Sequence, residues 1–256
     1  MKQKKIYYSD TVNDDFSGTH IRARTVDENF KYLHKSLIWK GISAFLYYCI
    51  ALPLVLVIDR VWFGLRFENR KALKKCRGSF FIYGNHTQHL ADATVPALVS
   101  FPKRAYVVAG ADAVSIKGIG WLVQMLGGLI LHNVPSGRSA FRSAVSEICG
   151  KNSSITIYPE MHIWPYYTGI REFSPASFIY PVQNGRPAAA IVTTYRKRLL
   201  KFLPPGITVY VSDPFYPDPE LGEEEAKQSI RDQVYAFMCE KAQNNEVEYI
   251  KYIRRD

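Results

Sequence analysis

From residue 79 onward, short runs rich in Val, Ile, Phe and Tyr alternate with stretches of helical periodicity, and that order admits few folds. Strands are expected at 79–83, 105–109, 129–132, 154–158, 188–193 and 207–211. Helices are expected between and after them, at 87–98, 117–126, 138–149 and 223–242. Strands separated by helices pair in parallel, because the returning chain must cross a face of the sheet. The expected fold class is therefore α/β, a mostly parallel central sheet flanked by helices, behind an N-terminal membrane-binding helical segment. With 256 residues, 47% of them apolar, the chain can build one such core and carry an appendage.

That appendage is read from residues 41–58, which contain no charged side chain and are bracketed by Lys40 and Asp59-Arg60. As a helix they would reach about 27 Å, close to the thickness of a bilayer hydrocarbon core. Pro53 is expected to kink the helix, so both a full span and a half-inserted helix fit. The stretch begins too far from Met1 for a secretory signal peptide. Arg60, Arg66, Arg70, Lys71, Lys74, Lys75 and Arg77 come after it, with Trp62 and Phe63 among them. Basic and aromatic side chains beside an apolar helix suit an anionic headgroup zone, and their bias places the remainder of the chain on the cytoplasmic side. The expected organisation is a polar tail or peripheral helix at 1–36, a membrane-associating segment at 37–70 and an α/β domain at 71–256.

The net charge of +10 asks for an anionic partner. Its basic residues gather beside the apolar segment and form no recognition module, so a membrane surface is expected and nucleic acid is not. The four cysteines, Cys49, Cys76, Cys149 and Cys239, are scattered without CxxC spacing. Neither a disulfide framework nor a cysteine zinc site is expected, and a reducing compartment is the simpler reading.

Ligands of open α/β sheets sit outside the carboxyl ends of the strands, and His86, His132 and Glu160 each come just past such an end. A histidine fixed at a strand tip with a carboxylate nearby can act as a general base whose tautomer the acid sets. Asp92 is the expected partner of His86, although His89, three residues before it on the same helical face, offers an alternative. Arg138, Arg142 and Arg171 are candidates for gripping a phosphate. His132, His162, Trp164, Tyr166 and Tyr167 admit either packing or a place in the cleft.

The order of blocks resembles the PlsC-like glycerolipid acyltransferase family. These blocks are Asn85-His86 with Asp92, then Gly127-Gly128-Leu129-Ile130-Leu131-His132-Asn133, then Tyr158-Pro159-Glu160, and an apolar run from Pro187 to Val192. Lys117-Gly118-Ile119-Gly120-Trp121 resembles the family's linker between the first two. Several ordered blocks are far more specific than any one. The resemblance implies transfer of a fatty acyl group from acyl-CoA or acyl carrier protein to a lysophospholipid hydroxyl, with lysophosphatidic acid the leading acceptor. His86 and Asp92 are then the expected catalytic residues, and Glu160, Asn133, Arg171 and Gly128 the expected substrate-binding ones. No metal and no cofactor beyond the acyl co-substrate is expected. The chain departs from the pattern in four places. Five residues rather than four separate His86 from Asp92, Asn133 replaces an arginine, Met161 replaces a glycine after Glu160, and Ser174-Pro175-Ala176 replaces a Lys-Gly. Two other readings stay open: a membrane-anchored lipid-binding protein without turnover, and a zinc hydrolase using His86, His89 and Asp92 with His132 or Glu160.

Overall fold

The computed structural model describes residues 3–18, 21–200 and 202–255; the remainder of the expected 1–36 tail lies outside them. The strands among the described residues are β1 (Lys4–Tyr8), β2 (Arg66–Glu68), β3 (Phe80–Gly84), β4 (Ala105–Ala109), β5 (Gly128–Ile130), β6 (Ser154–Ile157), β7 (Ala188–Arg196), β8 (Gly206–Val211) and β9 (Ile250–Arg254). The α-helices are α1 (Leu37–Phe45), α2 (Leu52–Val61), α3 (Ala91–Ser100), α4 (Gly120–Met125), α5 (Gly137–Cys149), α6 (Ile179–Asn184) and α7 (Glu223–Ala242). Seven strands form one sheet in the order β2-β8-β7-β3-β6-β4-β5. Every neighbouring pair is parallel except β7 and β8.

The centre of the sheet is covered on both faces, which is why its strands read as mostly apolar runs broken only by small hydroxyl residues such as Thr156 and Thr193. Along β3, Phe81 and Tyr83 enter one core while Phe80 and Ile82 enter the other, as the two-residue period of a strand requires. The first core is closed by α5 and by α7, whose Ala226, Ile230, Val234, Met238 and Ala242 recur at a spacing of four. The second core is closed by α3 through Ala91, Val95, Leu98 and Val99, with Leu52 and Val55 of α2 packed against it. Ala188, Ala189 and Ala190 of β7 are fully buried, so large side chains from either layer can approach the sheet there.

The apolar segment is a helix from Leu37 to Val61, with only 11% of its most apolar window buried. Its middle turn, Leu46–Ala51, is π-helical, and Pro53 lies just beyond, at the start of α2. A widened turn accommodates a residue that lacks an N–H and crowds the carbonyl four positions back. The expected break at Pro53 is thus taken up inside one continuous helix. A narrow stripe holds it to the domain at both ends. Ser43 donates to the Met125 carbonyl at 2.6 Å, and the Tyr47 hydroxyl accepts from the Ala105 N–H at 3.0 Å. Near the far end, the Thr94 hydroxyl donates to the buried Asp59 carboxylate at 2.9 Å. The remainder, Leu37, Ile38, Phe45, Leu54, Val57 and Val61 among it, faces outward.

Residues 3–36, where described, are neither a free tail nor a helix. β1 pairs in parallel with β9 as a separate two-stranded sheet. The chain then runs as an extended strap over the loops beyond the strands. Phe16 donates its N–H to Ile163, Asp14 accepts from the Trp164 indole, and Arg24 donates its N–H to Ser115. Val26 is fully buried and donates to the Asn133 side chain. Trp164 is the hub, stacked on Tyr252 at 5.0 Å and packed on Tyr8 and Phe16.

Candidate active site

β3 lies at the middle of the sheet and delivers Gly84-Asn85-His86 to its carboxyl edge. Gly84 has no side chain for a physical reason: a Cβ there would stand 2.7 Å from the Tyr158 ring. Asn85 continues the strand with its side chain, donating to the Thr193 carbonyl at 3.0 Å and accepting the Thr193 N–H at 2.8 Å. The Tyr195 hydroxyl, buried on β7, donates to the Thr87 side chain at 2.8 Å, and Gln88 donates back to that hydroxyl at 3.2 Å. The segment between strand and helix is therefore fixed to the neighbouring strand before any ligand arrives.

His86 Nδ1 lies 2.8 Å from Asp92 Oδ2. The same oxygen accepts the N–H groups of Thr87 and Gln88, each at 2.8 Å. An oxygen that already accepts two backbone N–H groups serves as the acceptor toward Nδ1 as well, so Nδ1 is the protonated nitrogen and Nε2 carries the free lone pair. Among the described residues no group bonds Nε2. Twenty-four percent of the His86 side chain is exposed against 4% for Asp92, so the ring is reachable and its partner is not. The five-residue spacing closes because a turn at His89-Leu90 precedes α3. His89 itself is exposed and makes no hydrogen bond to Asp92.

The loop after β6 holds His86 from both sides. Glu160 Oε2 accepts the His86 N–H at 3.2 Å, and Trp164 donates its N–H to the His86 carbonyl at 3.0 Å. The Tyr158 ring stacks on the imidazole, with centroids 4.7 Å apart, and its hydroxyl bonds the Asp92 carbonyl. Glu160 and Arg171 form a buried ion pair at 3.1 Å, and Glu160 Oε1 takes the Arg171 N–H at 3.1 Å. The guanidinium also bonds the carbonyls of His162 and Thr11 and lies over the Trp164 ring. Burial pushes the Glu160 carboxyl above its ordinary range, against the pull of Arg171. Met161, next in the chain, has φ of 64°, the left-handed region that favours glycine.

The other expected substrate-binding residues lie elsewhere. Gly128 opens β5, the outermost strand on its side of the sheet, level with Ile82 in register and three strands away from β3. Gly127, at φ 104°, and Gly128, whose Cβ would meet Val123, serve the tight turn out of α4. Asn133 is exposed and spends its amide on the strap, accepting the Val26 N–H and donating to the Arg24 carbonyl, both at 2.9 Å. Arg171 and Glu160 are closed on each other inside the protein, with Arg171 Nε the one guanidinium nitrogen left without a partner. Arg138 and Arg142 are exposed on α5. The His132 imidazole is held below its ordinary range by burial and then by those two arginines. Among the described residues no group of three or more His, Cys, Asp or Glu is placed to hold a metal ion. Asn85 and Tyr158 stand in the sequence blocks without an assigned role, and Tyr195 is the part of the site that sequence reasoning misses.

No family model matches the sequence, and no curated protein matches it. Among solved structures the chain is similar to the 1-acyl-sn-glycerophosphate (LPA) acyltransferase PlsC from Thermotoga maritima. The TM-score is 0.55 at 17% identity, with 82% of this chain and 90% of that one covered. At that identity the likeness is one of fold: a mostly parallel α/β sheet flanked by helices.

Proposed function

We propose that the chain is a membrane-associated O-acyltransferase that moves a fatty acyl group from acyl-CoA or acyl carrier protein to lysophosphatidic acid, giving phosphatidic acid. The observation that carries the reading is the His86 Nδ1 to Asp92 Oδ2 contact of 2.8 Å, with Nε2 free at the carboxyl edge. An acyl thioester already has a good leaving group, since a thiol ionises near pH 8.5. What the reaction lacks is a nucleophile. His86 Nε2 takes the proton of the acceptor hydroxyl as its oxygen attacks the thioester carbon. The C–S bond then breaks, and the thiolate recovers the proton from the imidazolium. Asp92 holds the ring and balances its transient charge. Glu160 and Arg171 are positioning residues here: the ion pair fixes the loop that grips the His86 backbone.

Two features support the membrane placement. The helix from Leu37 to Val61 is anchored to one domain at both ends, so it lies along the domain with its apolar side outward. A helix held this way enters the headgroup layer in plane, since standing across the bilayer would drag the domain in with it. At the carboxyl edge, exposed Leu199, Leu200 and Phe202 extend that apolar side. Arg198 ties their loop to the Val61 and Trp62 carbonyls. A lipid hydroxyl then meets His86 from the cytoplasmic surface.

Purified protein given an acyl thioester and a panel of lysolipids should release thiol only with an acceptor present. His86→Ala should lower that rate by about 10²–10⁴-fold while leaving circular dichroism and vesicle binding unchanged. Undiminished release would overturn the choice of base. Lipid binding without release from any acceptor would favour a non-catalytic lipid-binding protein, a reading that the closed Glu160–Arg171 pair and the tethered Asn133 also fit.

A further inference from the structure

Away from His86, a cavity of about 270 Å³ opens at the amino edge of the sheet. Arg104, just before β4, Lys151, just before β6, and Lys40 and Trp39 of the first turn of α1 line it, with His34 and Gln124. These strands are parallel to β3, whose opposite end carries His86, so the cavity and the candidate active site lie at opposite ends of the sheet. Its charges are unevenly matched. Lys151 pairs with Glu147 at 2.6 Å, but among the described residues neither Lys40 nor Arg104 has a carboxylate within ion-pair distance. Arg104 bonds only neutral oxygens, of Ser43 and Met125, and its Nε is buried without a partner. His34 stacks on Trp39 at 3.8 Å, and its Nε2 is also buried without a partner. The Glu147 carboxyl is held below its ordinary range by Lys151, with Lys35 and Lys40 adding to the effect. The positive field therefore reaches across the cavity mouth.

Three cations in one concavity against the single carboxylate of Glu147, together with the unpartnered Arg104 Nε–H in its wall, describe an anion site. Leu37 and Ile38, at the start of α1, are 82% and 76% exposed. The outward apolar side of the helix thus begins at the rim of the cavity, which puts the cavity at headgroup depth when the helix enters a membrane.

We propose that this cavity binds a phosphate dianion, held by Lys40, Arg104 and Lys151. The group is supplied either by free phosphate or by the headgroup of a phosphatidic acid molecule in the adjoining leaflet. The site goes beyond acyl transfer and does not depend on it; only its lipid source rests on the membrane placement above.

Trp39 reports on the cavity directly. The full chain in neutral detergent is titrated with inorganic phosphate against chloride of equal ionic strength. The full chain is also titrated with phosphatidylcholine vesicles carrying either phosphatidic acid or phosphatidylglycerol at matched surface charge. The part of the emission change absent from Trp39→Phe is the signal. A saturable response to inorganic phosphate, weakened at least tenfold by Lys40→Gln with Lys151→Gln, identifies a free-phosphate site. A response to phosphatidic acid vesicles alone, weakened by the same pair, identifies the headgroup. Lys40 is exposed, so Lys40→Gln alone tests the site in a chain that still folds. Equal responses to both vesicle types with none to phosphate would reduce the effect to surface charge and overturn the proposal. So would no Trp39 response in any arm. Thiol release by the same preparation separates this failure from failure of the acyltransferase reading.

Discussion

The two edges of one sheet treat their polar groups in opposite ways. At the carboxyl edge, Asp92 Oδ2 accepts three hydrogen bonds and Glu160 and Arg171 face each other out of solvent. At the amino edge, around an open cavity, neither Lys40 nor Arg104 has a carboxylate within ion-pair distance among the described residues. Polar groups that satisfy one another inside a protein fix geometry and are costly to disturb. Polar groups left unsatisfied around a concavity hold binding capacity in reserve. Arginine thus serves in a frame at one end and lines the proposed anion site at the other. Arg171 shows why residue type alone does not settle the matter: an arginine near the third block suggests a phosphate grip, yet its guanidinium is already engaged by Glu160, His162 and Thr11.

The contrast is broken most directly at Glu160. Glu160→Gln leaves the buried Arg171 charge uncompensated and should cost about 3–5 kcal/mol of stability, read by urea unfolding, with slower thiol release as the loop around His86 loosens. A neutral outcome would mean that the carboxyl edge is not a fixed frame. A smaller effect is expected where that edge is proposed to meet lipid. Phe202 is 80% exposed, and Phe202→Ala should weaken partitioning into vesicles by about 1–2 kcal/mol, measured by flotation, with unfolding unchanged. Met161→Gly should stabilise the chain by up to about 1 kcal/mol, because the left-handed backbone there disfavours a side chain; a rise in Tm checks it. The smallest effect belongs to His132. Burial, then Arg138 and Arg142, hold its folded pKa below the ordinary value of 6.5, so the unfolded chain takes up the proton first. The stability this group contributes is complete above about pH 6.5 and is lost as pH falls through the lower folded pKa. His132→Asn should flatten that slope of Tm against pH, and an unchanged slope would remove His132 as its source.

The central strands are legible in the sequence because burial on both faces keeps charged residues out of their interiors, and α7 because its buried residues recur every four. The short outer elements β1, β2, α6 and β9 carry too few residues to establish a period. The strap reads as a tail for the same reason, since its anchors are single contacts across long separations, such as Val26 with Asn133 and Thr11 with Arg171. Near His86, sequence spacing points to Asp92 but is silent on Tyr158 and Tyr195, whose hydroxyls find their partners only once β3, β6 and β7 are side by side. Gly127-Gly128 marks a real constraint of a different kind: the turn needs small residues whether or not a ligand is near. Lys40, Arg104 and Lys151 are scattered along the chain and converge only at the start of parallel strands.

The pairing of Lys4 with Ile250 through Tyr8 with Arg254 joins an early-made strand to one made far later. At ordinary rates of synthesis the early strand waits on the order of ten to fifty seconds for its mate. During that interval the greasy helix has already left the ribosome, while the sheet that will seat its inner stripe is unfinished. Under the membrane placement proposed above, a bilayer is then a surface the helix can reach before its own domain is complete, and the α/β body is assembled against a helix already in place.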